Sequence, residues 1–284
     1  MKKKREIKNF KIDALLSSKA NFLRKTIRNL GKVAVAFSGG IDSTFLLKVA
    51  QEELGENVFA ITGNSLLIPE EELHSTCQIA NSFGASHSLI EIGVLTNSAF
   101  CQNPPERCYI CKHVLFEKIQ AIAYEKGIPI VIEASNFDDH SDFRPGIRAL
   151  QEKGIKSPLM EAKLTKKEVR RLARAVGIPN WDKPSQACLA SRFPYGEKIT
   201  IEKIKKVAEA EKFIRELGFR QVRVRSYDNN NLARIEVENK DIGKFINPEI
   251  RKKIIDKLKF LGFIYLTFDL EGYRSGSMNK ILGY

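Results

Sequence analysis

AVAFSGGIDSTFLL, residues 34–47, reads as a buried strand that ends at Phe37, a glycine turn, and a helix opened by Ser43. Two adjacent glycines allow close backbone approach, and the first N–H groups of a helix have no partners within it. The stretch is therefore suited to cradling an oxyanion. Its spacing, S-G-G-x-D-S, is neither the G-x-x-x-x-G-K-[ST] of a Walker loop nor the G-x-G-x-x-G of a dinucleotide fold. A plain Gly-Gly turn with a helix cap at Asp42 or Ser43 is the alternative reading.

Outward from this stretch, strand-like and helical runs alternate. A helix at roughly 12–30 precedes the strand KVAVAF (32–37), and NVFAITG (57–63), ASHSLIEI (85–92) and PIVIEAS (129–135) read as further strands. Between them EEELHSTCQIANSFG (70–84) and CKHVLFEKIQAIAYEKG (111–127) carry helical spacing. Such alternation predicts an α/β fold: a parallel twisted sheet with helices on both faces, and ligands at the carboxyl ends of its strands. The pattern then breaks. GIPNWDKPSQACLASRFPYGEK (177–198) is rich in Pro, Gly and Ser and reads as a long functional loop. Beyond it come a helix (199–218), alternating strands (221–227 and 232–238), a second helix (247–262) and a strand (263–270), a smaller α+β domain. The expected divisions are a helical segment 1–30, a phosphate-loop domain 31–177, an active-site loop 178–198 and a C-terminal domain 199–284. That last domain is expected to bind substrate and serve oligomerisation.

The 284 residues, 43% of them apolar, suffice for a sizeable core. No run approaches the roughly 18 apolar residues of a membrane helix, and the basic MKKKREIKNF is not followed by an apolar signal core, so a cytoplasmic protein without membrane association is expected. The 47 basic and 34 acidic residues give a net charge of +13, which points to anionic partners. Solvation accounts for part of this excess, as on the helix face of KLTKKEVRRLARAVG (163–177).

RCYICKH (107–113) places Cys108 and Cys111 at a metal-binding or redox spacing, and no second C-x-x-C completes a zinc site. A redox pair at a helix start is one possibility. A third cysteine, Cys188, lies in the long loop, where the chain can return over the strand ends. Two plus one thiolates suit a [4Fe–4S] cluster with one iron open, which could pass sulfur to an activated carbon. Cys77, inside a helical apolar pattern, and Cys101 read as small buried residues.

SGGIDS resembles the PP-loop of the ATP pyrophosphatase superfamily, with a HUP-like (adenine nucleotide alpha hydrolase-like) fold. The resemblance implies ATP and Mg²⁺ as cofactors and assigns Ser38, Gly39, Gly40, Asp42 and Ser43 to pyrophosphate and its metal, with Asp42, Ser43 and Cys188 as the catalytic set. Together with NFDDHSDFRPGIRAL (136–150), SRFPYGEKIT (191–200), VRVR (222–225) and DLEGYRSGSMN (269–279), the loop resembles the LarE family of pyridinium-3,5-bisthiocarboxylic acid mononucleotide synthases over nearly the whole chain. That likeness implies an ATP-dependent sulfur transferase acting on pyridinium-3,5-biscarboxylic acid mononucleotide, in the pathway to the nickel-pincer nucleotide of lactate racemase. It further implies Ser191, Arg192, Arg223 and Arg225 at the substrate, weaker divalent-metal positions at Glu211 and Glu236 with Lys244 where the family has an acid, and a homohexamer. A member with cysteines at Cys108, Cys111 and Cys188 resembles the version that carries a [4Fe–4S] cluster. In the other version an enzyme cysteine surrenders its sulfur, at the position of Ala187 here; a one-residue shift leaves Cys188 as a sacrificial donor in reserve. The physiological sulfur donor and any pathway proteins that act as partners are left open.

Two other readings compete. A tRNA thiolase uses the same loop, but no RNA-binding appendix is visible and nucleic acid is not expected as a partner. A non-catalytic nucleotide sensor would leave the S-G-G-x-D-S loop without a purpose. Among the residues themselves, a solvated basic strand is the alternative for Arg223 and Arg225, and solvent-facing positions are the alternative for Glu211 and Glu236.

Overall fold

The computed structural model describes residues 13–140, 145–179, 181–184, 187–229, 231–274 and 276–283. The basic N-terminal decapeptide, parts of two family-like stretches at 141–144 and 275, and residues 185–186 of the long loop lie outside the described residues. Two compact units emerge, one from Met1–Ser65, Glu70–Ile92 and Cys108–Gln186, the other from Leu66–Pro69, Gly93–Arg107 and Ala187–Tyr284.

In chain order the elements are α1 (Ala14–Leu30), β1 (Val33–Ala36), α2 (Ile41–Leu54), β2 (Val58–Asn64), α3 (Glu70–Ser82), β3 (Ser86–Glu91), α4 (Ser98–Cys101), α5 (Arg107–Glu125) and β4 (Ile130–Ile132). They continue with α6 (Pro145–Glu152), α7 (Pro158–Glu161), α8 (Lys166–Ala175), α9 (Ile201–Glu216), β5 (Val222–Tyr227), β6 (Leu232–Val237), α10 (Pro248–Phe260) and β7 (Tyr265–Phe268). In the first unit four strands form a parallel sheet in the order β3-β2-β1-β4. The expected α/β class is what the chain adopts.

β1 shows why. Val33 and Val35 pack into one core with α1, α2 and α8, whereas Ala34 points into a second core with Phe116, Ile119 and Ala123 of α5. Alternate side chains bury on opposite faces, so the strand is apolar throughout and helices must cover both sides. Each fully buried Val or Leu contributes about 1.5–3 kcal/mol, enough to hold the central strand and the loop that follows it. β1 is central, β2 lies on one side and β4 on the other, so the chain after β1 emerges where strand order reverses, the usual place for a ligand crevice.

The second unit is built on a three-stranded sheet, β5-β6-β7, antiparallel between β5 and β6 and parallel between β6 and β7. Val222, Val224, Ile235 and Val237 are buried, as are Ile204, Val207 and Ile214 of α9. The short helices α6 and α7 were not anticipated from periodicity, being only 8 and 4 residues long.

Candidate active site

The phosphate loop lies at the carboxyl end of β1. Gly39 has φ +71°, a left-handed conformation open to glycine, and a Cβ there would sit 2.7 Å from Thr76 Cγ2 of α3. Ser43 donates to the Gly40 carbonyl (3.0 Å) and accepts from the Ser38 N–H (3.2 Å), and the Ser38 and Ser43 hydroxyls lie 3.0 Å apart. Gly40 caps α2 without any side-chain bond, so the amides of its first turn are not covered by a capping group. Ser38 and Gly40 are exposed, whereas Gly39 and Ser43 are buried.

Asp42, in the first turn of α2, carries a one-sided contact. Its Oδ2 receives Lys166 Nζ, while its Oδ1 is buried with no hydrogen-bond partner. Burial holds the Asp42 carboxyl above its ordinary value, against the opposing charge of Lys166, and Asp139 pushes in the same direction as burial. An orphaned buried carboxylate oxygen beside a phosphate loop suits a hard divalent cation, so the residues fit Mg²⁺.

Lys166 corrects one expectation. Its helix was read as a solvated basic face, yet α8 opens with a capping box between Thr165 and Glu168 and donates the Lys166 N–H to Asp138 Oδ2 (2.9 Å). The lysine is thereby aimed at Asp42. Around it, Lys166, Lys167, Arg170 and Arg174 line a cavity of about 500 Å³ with Trp181 and Asp138, and the Arg174 guanidinium lies 4.7 Å from the indole centroid. Helical spacing puts residues 166, 170 and 174 on one face. Glu133 was also missed: just beyond β4 it is buried and accepts from the Ser135 N–H (2.9 Å), the Ser135 hydroxyl (2.8 Å) and the Ser157 hydroxyl. Its one available signal is a carboxylate closing an apolar strand.

None of the five cysteines forms a disulfide. Cys108 is exposed and Cys111 half-buried, one turn apart at the start of α5 and therefore on one face. Cys188 is exposed and precedes a 3₁₀ turn over Leu189–Arg192. Cys108 and Cys111 belong to the first unit and Cys188 to the second. Among the described residues no three His, Cys, Asp or Glu side chains are gathered as a metal site. The donor set itself, three accessible thiols with two at i,i+3, is chemically suited to an iron–sulfur cluster. Cys101 donates to the Leu95 carbonyl (3.2 Å), and Cys77 sits half-buried in α3.

In the second unit Arg192, Arg223 and Arg225 are buried, which removes the reading of a solvated strand face. Glu211 and Glu236 are fully buried too, and they serve guanidinium groups. Arg192 Nε and Nη2 reach Glu211 at 2.6 and 2.9 Å, and Arg225 Nε and Nη2 reach Glu236 at 3.1 and 2.9 Å. Both oxygens of each carboxylate are thus taken by arginine in bidentate pairs, and these positions do not fit a divalent cation. Lys244 pairs instead with Asp241 (2.9 Å). The other side of each arginine supports the cysteine loop: Arg192 Nη1 donates to the carbonyls of Ala187 (3.0 Å) and Cys188 (3.3 Å) and to Ser191 Oγ (2.9 Å), and Arg225 Nη1 donates to the Ser191 carbonyl (2.8 Å). Arg223 is different. Burial, then the nearby Arg192 charge, lower its pKa to about 10, and its guanidinium lies 5.2 Å from the Tyr273 centroid. Three buried arginines, Arg192, Arg223 and Arg225, thus accompany two buried carboxylates, Glu211 and Glu236.

A family model described as NAD synthase matches residues 15–117, covering β1 and the phosphate loop. Across most of the chain there is similarity to the pyridinium-3,5-bisthiocarboxylic acid mononucleotide synthase of Lactiplantibacillus plantarum, 39% identical over 95% of this chain and 96% of that protein. Uncharacterised proteins of Synechocystis (43% identical, 94% of this chain and 99% of that one) and Methanocaldococcus jannaschii (35%, 90% and 95%) are similar over comparable lengths.

Proposed function

This chain belongs to the family of the pyridinium-3,5-bisthiocarboxylic acid mononucleotide synthases, and from that membership we propose an ATP-dependent sulfur transferase that adenylates the ring carboxylates of pyridinium-3,5-biscarboxylic acid mononucleotide and converts them to thiocarboxylates. The observation that carries the adenylation step is the uncapped start of α2 beside an unpaired Asp42 oxygen and Lys166.

A substrate carboxylate oxygen attacks the α phosphorus of ATP, and the bond to the β-phosphate bridge breaks. Pyrophosphate leaves onto the loop amides and the hydroxyls of Ser38 and Ser43, with Lys166 supplying countercharge. Asp42 would hold Mg²⁺, which supplies further positive charge there. The product is an acyl-adenylate, whose carbonyl carbon accepts an anionic sulfur as AMP departs. No general base is needed, because both nucleophiles are anionic. Cys108, Cys111 and Cys188 would hold a [4Fe–4S] cluster with one open iron, whose chemistry is to present sulfide. The exposure of Cys188 favours a second version, in which its thiolate attacks the acyl carbon as AMP leaves and its Cβ–S bond then breaks with loss of the Cα proton, giving the thiocarboxylate and a dehydroalanine at position 188.

Mass spectrometry after turnover with ATP and the biscarboxylate separates the two. Catalytic transfer leaves the protein mass unchanged while product accumulates, and Cys108→Ala stops multiple turnover; loss of one H₂S at Cys188 indicates sacrifice. Absence of AMP and pyrophosphate with this acceptor overturns the adenylation reading.

Arg223 and Arg225 would receive the substrate phosphate. Because a charge-assisted hydrogen bond is worth about 1.5–3 kcal/mol, Arg223→Ala should raise KM for the mononucleotide roughly 10- to 100-fold and leave KM for ATP unchanged. Equal effects on both substrates would remove Arg223 from the phosphate site.

A further inference from the structure

The chain that leads into Cys108 is stitched to the chain that leaves Cys188. Asn103, with no exposed surface and φ +55°, is the centre of this stitch. Its amide Nδ2 donates to the carbonyls of Phe193 (3.3 Å) and Pro194 (2.6 Å), and its own carbonyl accepts the Gly196 N–H (2.9 Å). Two residues earlier, the Cys101 carbonyl accepts the Ile199 N–H (2.8 Å). On the remaining side, Asn103 Oδ1 accepts from Arg107 Nη1 (2.9 Å), and the Arg107 guanidinium lies 4.3 Å from the centroid of Tyr195. Arg107 is itself buried. All of these residues belong to the second unit, and Cys108 follows Arg107 directly.

The far end of the stitch is equally fixed. Cys188 is followed by the turn Leu189–Arg192, whose Arg192 is locked to Glu211 and holds the Ala187 and Cys188 carbonyls; Phe193 and Pro194 come next. Asparagine is suited to this place because it tolerates a left-handed backbone and offers two donors and an acceptor on one short side chain. A guanidinium in its place, with donors and no acceptor, could not also accept from Arg107.

We infer that Asn103 and Arg107 are positioning residues, holding the chain that enters Cys108 in register with the chain that leaves Cys188. The inference rests on the proposal that these cysteines form one sulfur-handling site, and it adds the device that ties segment 101–107 to segment 193–199 within the second unit.

The test uses full-length apoprotein under anaerobic conditions, cadmium ion as thiolate probe, and amide hydrogen exchange. Asn103→Gly removes the side chain while accepting the positive φ, and Arg107→Lys keeps the charge but loses the planar fork. In both variants exchange in 101–108 and 193–199 should rise together by about tenfold, with cadmium affinity falling by about tenfold and ATP affinity unchanged. Exchange that rises in one segment alone, or cadmium bound by both variants as tightly as by the parent, overturns the inference. Should exchange respond as expected while Cys188→Ala leaves cadmium binding intact, the register stands and the shared cysteine site fails.

Discussion

Gly39→Ala is expected to reduce formation of AMP and pyrophosphate by about 100-fold, since misplacing a reacting group by about 1 Å costs that much. Two separate effects combine. The left-handed φ of +71° costs an alanine about 1–2 kcal/mol, and the added Cβ meets Thr76 Cγ2 at 2.7 Å, so the loop must shift. Thr76→Ser in the same chain deletes that methyl and leaves the φ cost alone. The double variant should then regain activity to within about tenfold of the parent. Full adenylation activity in Gly39→Ala would mean that phosphates are held elsewhere.

Glu211→Gln should destabilise the protein by about 3–5 kcal/mol, measured by denaturant unfolding, because it leaves Arg192 buried without a counterion. Replacing both partners, Glu211→Leu with Arg192→Met, should recover much of this loss, although the second change also frees the Cys188 carbonyl. A pH effect follows from the same pair. Burial raises the Glu211 carboxyl, but Arg192, the Arg223 charge and the Val224 N–H together more than reverse this and hold it below its ordinary value. A carboxylate with a depressed folded pKa contributes stability that is present above its unfolded pKa and is lost as pH falls through the folded value. The parent should therefore lose stability on acidification below the usual carboxylate range, and Glu211→Gln should lack that component. An identical acid slope in the two proteins would assign the titration to other groups.

The legible part of the fold was the part whose physics is local. β1, β2 and β4 are short, largely apolar runs and the helices between the strands repeat every three to four residues, so alternation alone predicts a parallel sheet with covered faces. The phosphate loop was legible because glycine, serine and aspartate at fixed spacing have few other uses. Lys166 was not, because its role depends on a capping box that aims it and on Asp42, 124 positions away. The burial of Arg223 and Arg225 was hidden for a related reason. Alternation placed both on one strand face, but that the face is interior follows from its burial, with the Glu236 carboxylate of β6 bonded to Arg225 and the Glu211 charge of α9 near Arg223. The assignment of Gly93–Arg107 to the second unit rests on main-chain bonds and one asparagine side chain, which leave no periodic trace.

That division has a consequence for how the chain is made. The second unit draws its residues from three stretches, and the earliest of them leave the ribosome well before the last. At about 5–20 residues per second, Asn103 and Arg107 wait on the order of ten seconds before Phe193–Gly196 is synthesised, and until then their polar groups are hydrated and the segment is unanchored. The phosphate-loop sheet, whose strands all precede residue 133, has no such delay. Nascent chains that have released residues up to 186 and nothing beyond should therefore be able to acquire the nucleotide half of the molecule, α5 and its Cys108 included, while Gly93–Arg107 is still unanchored and Cys188 has yet to emerge.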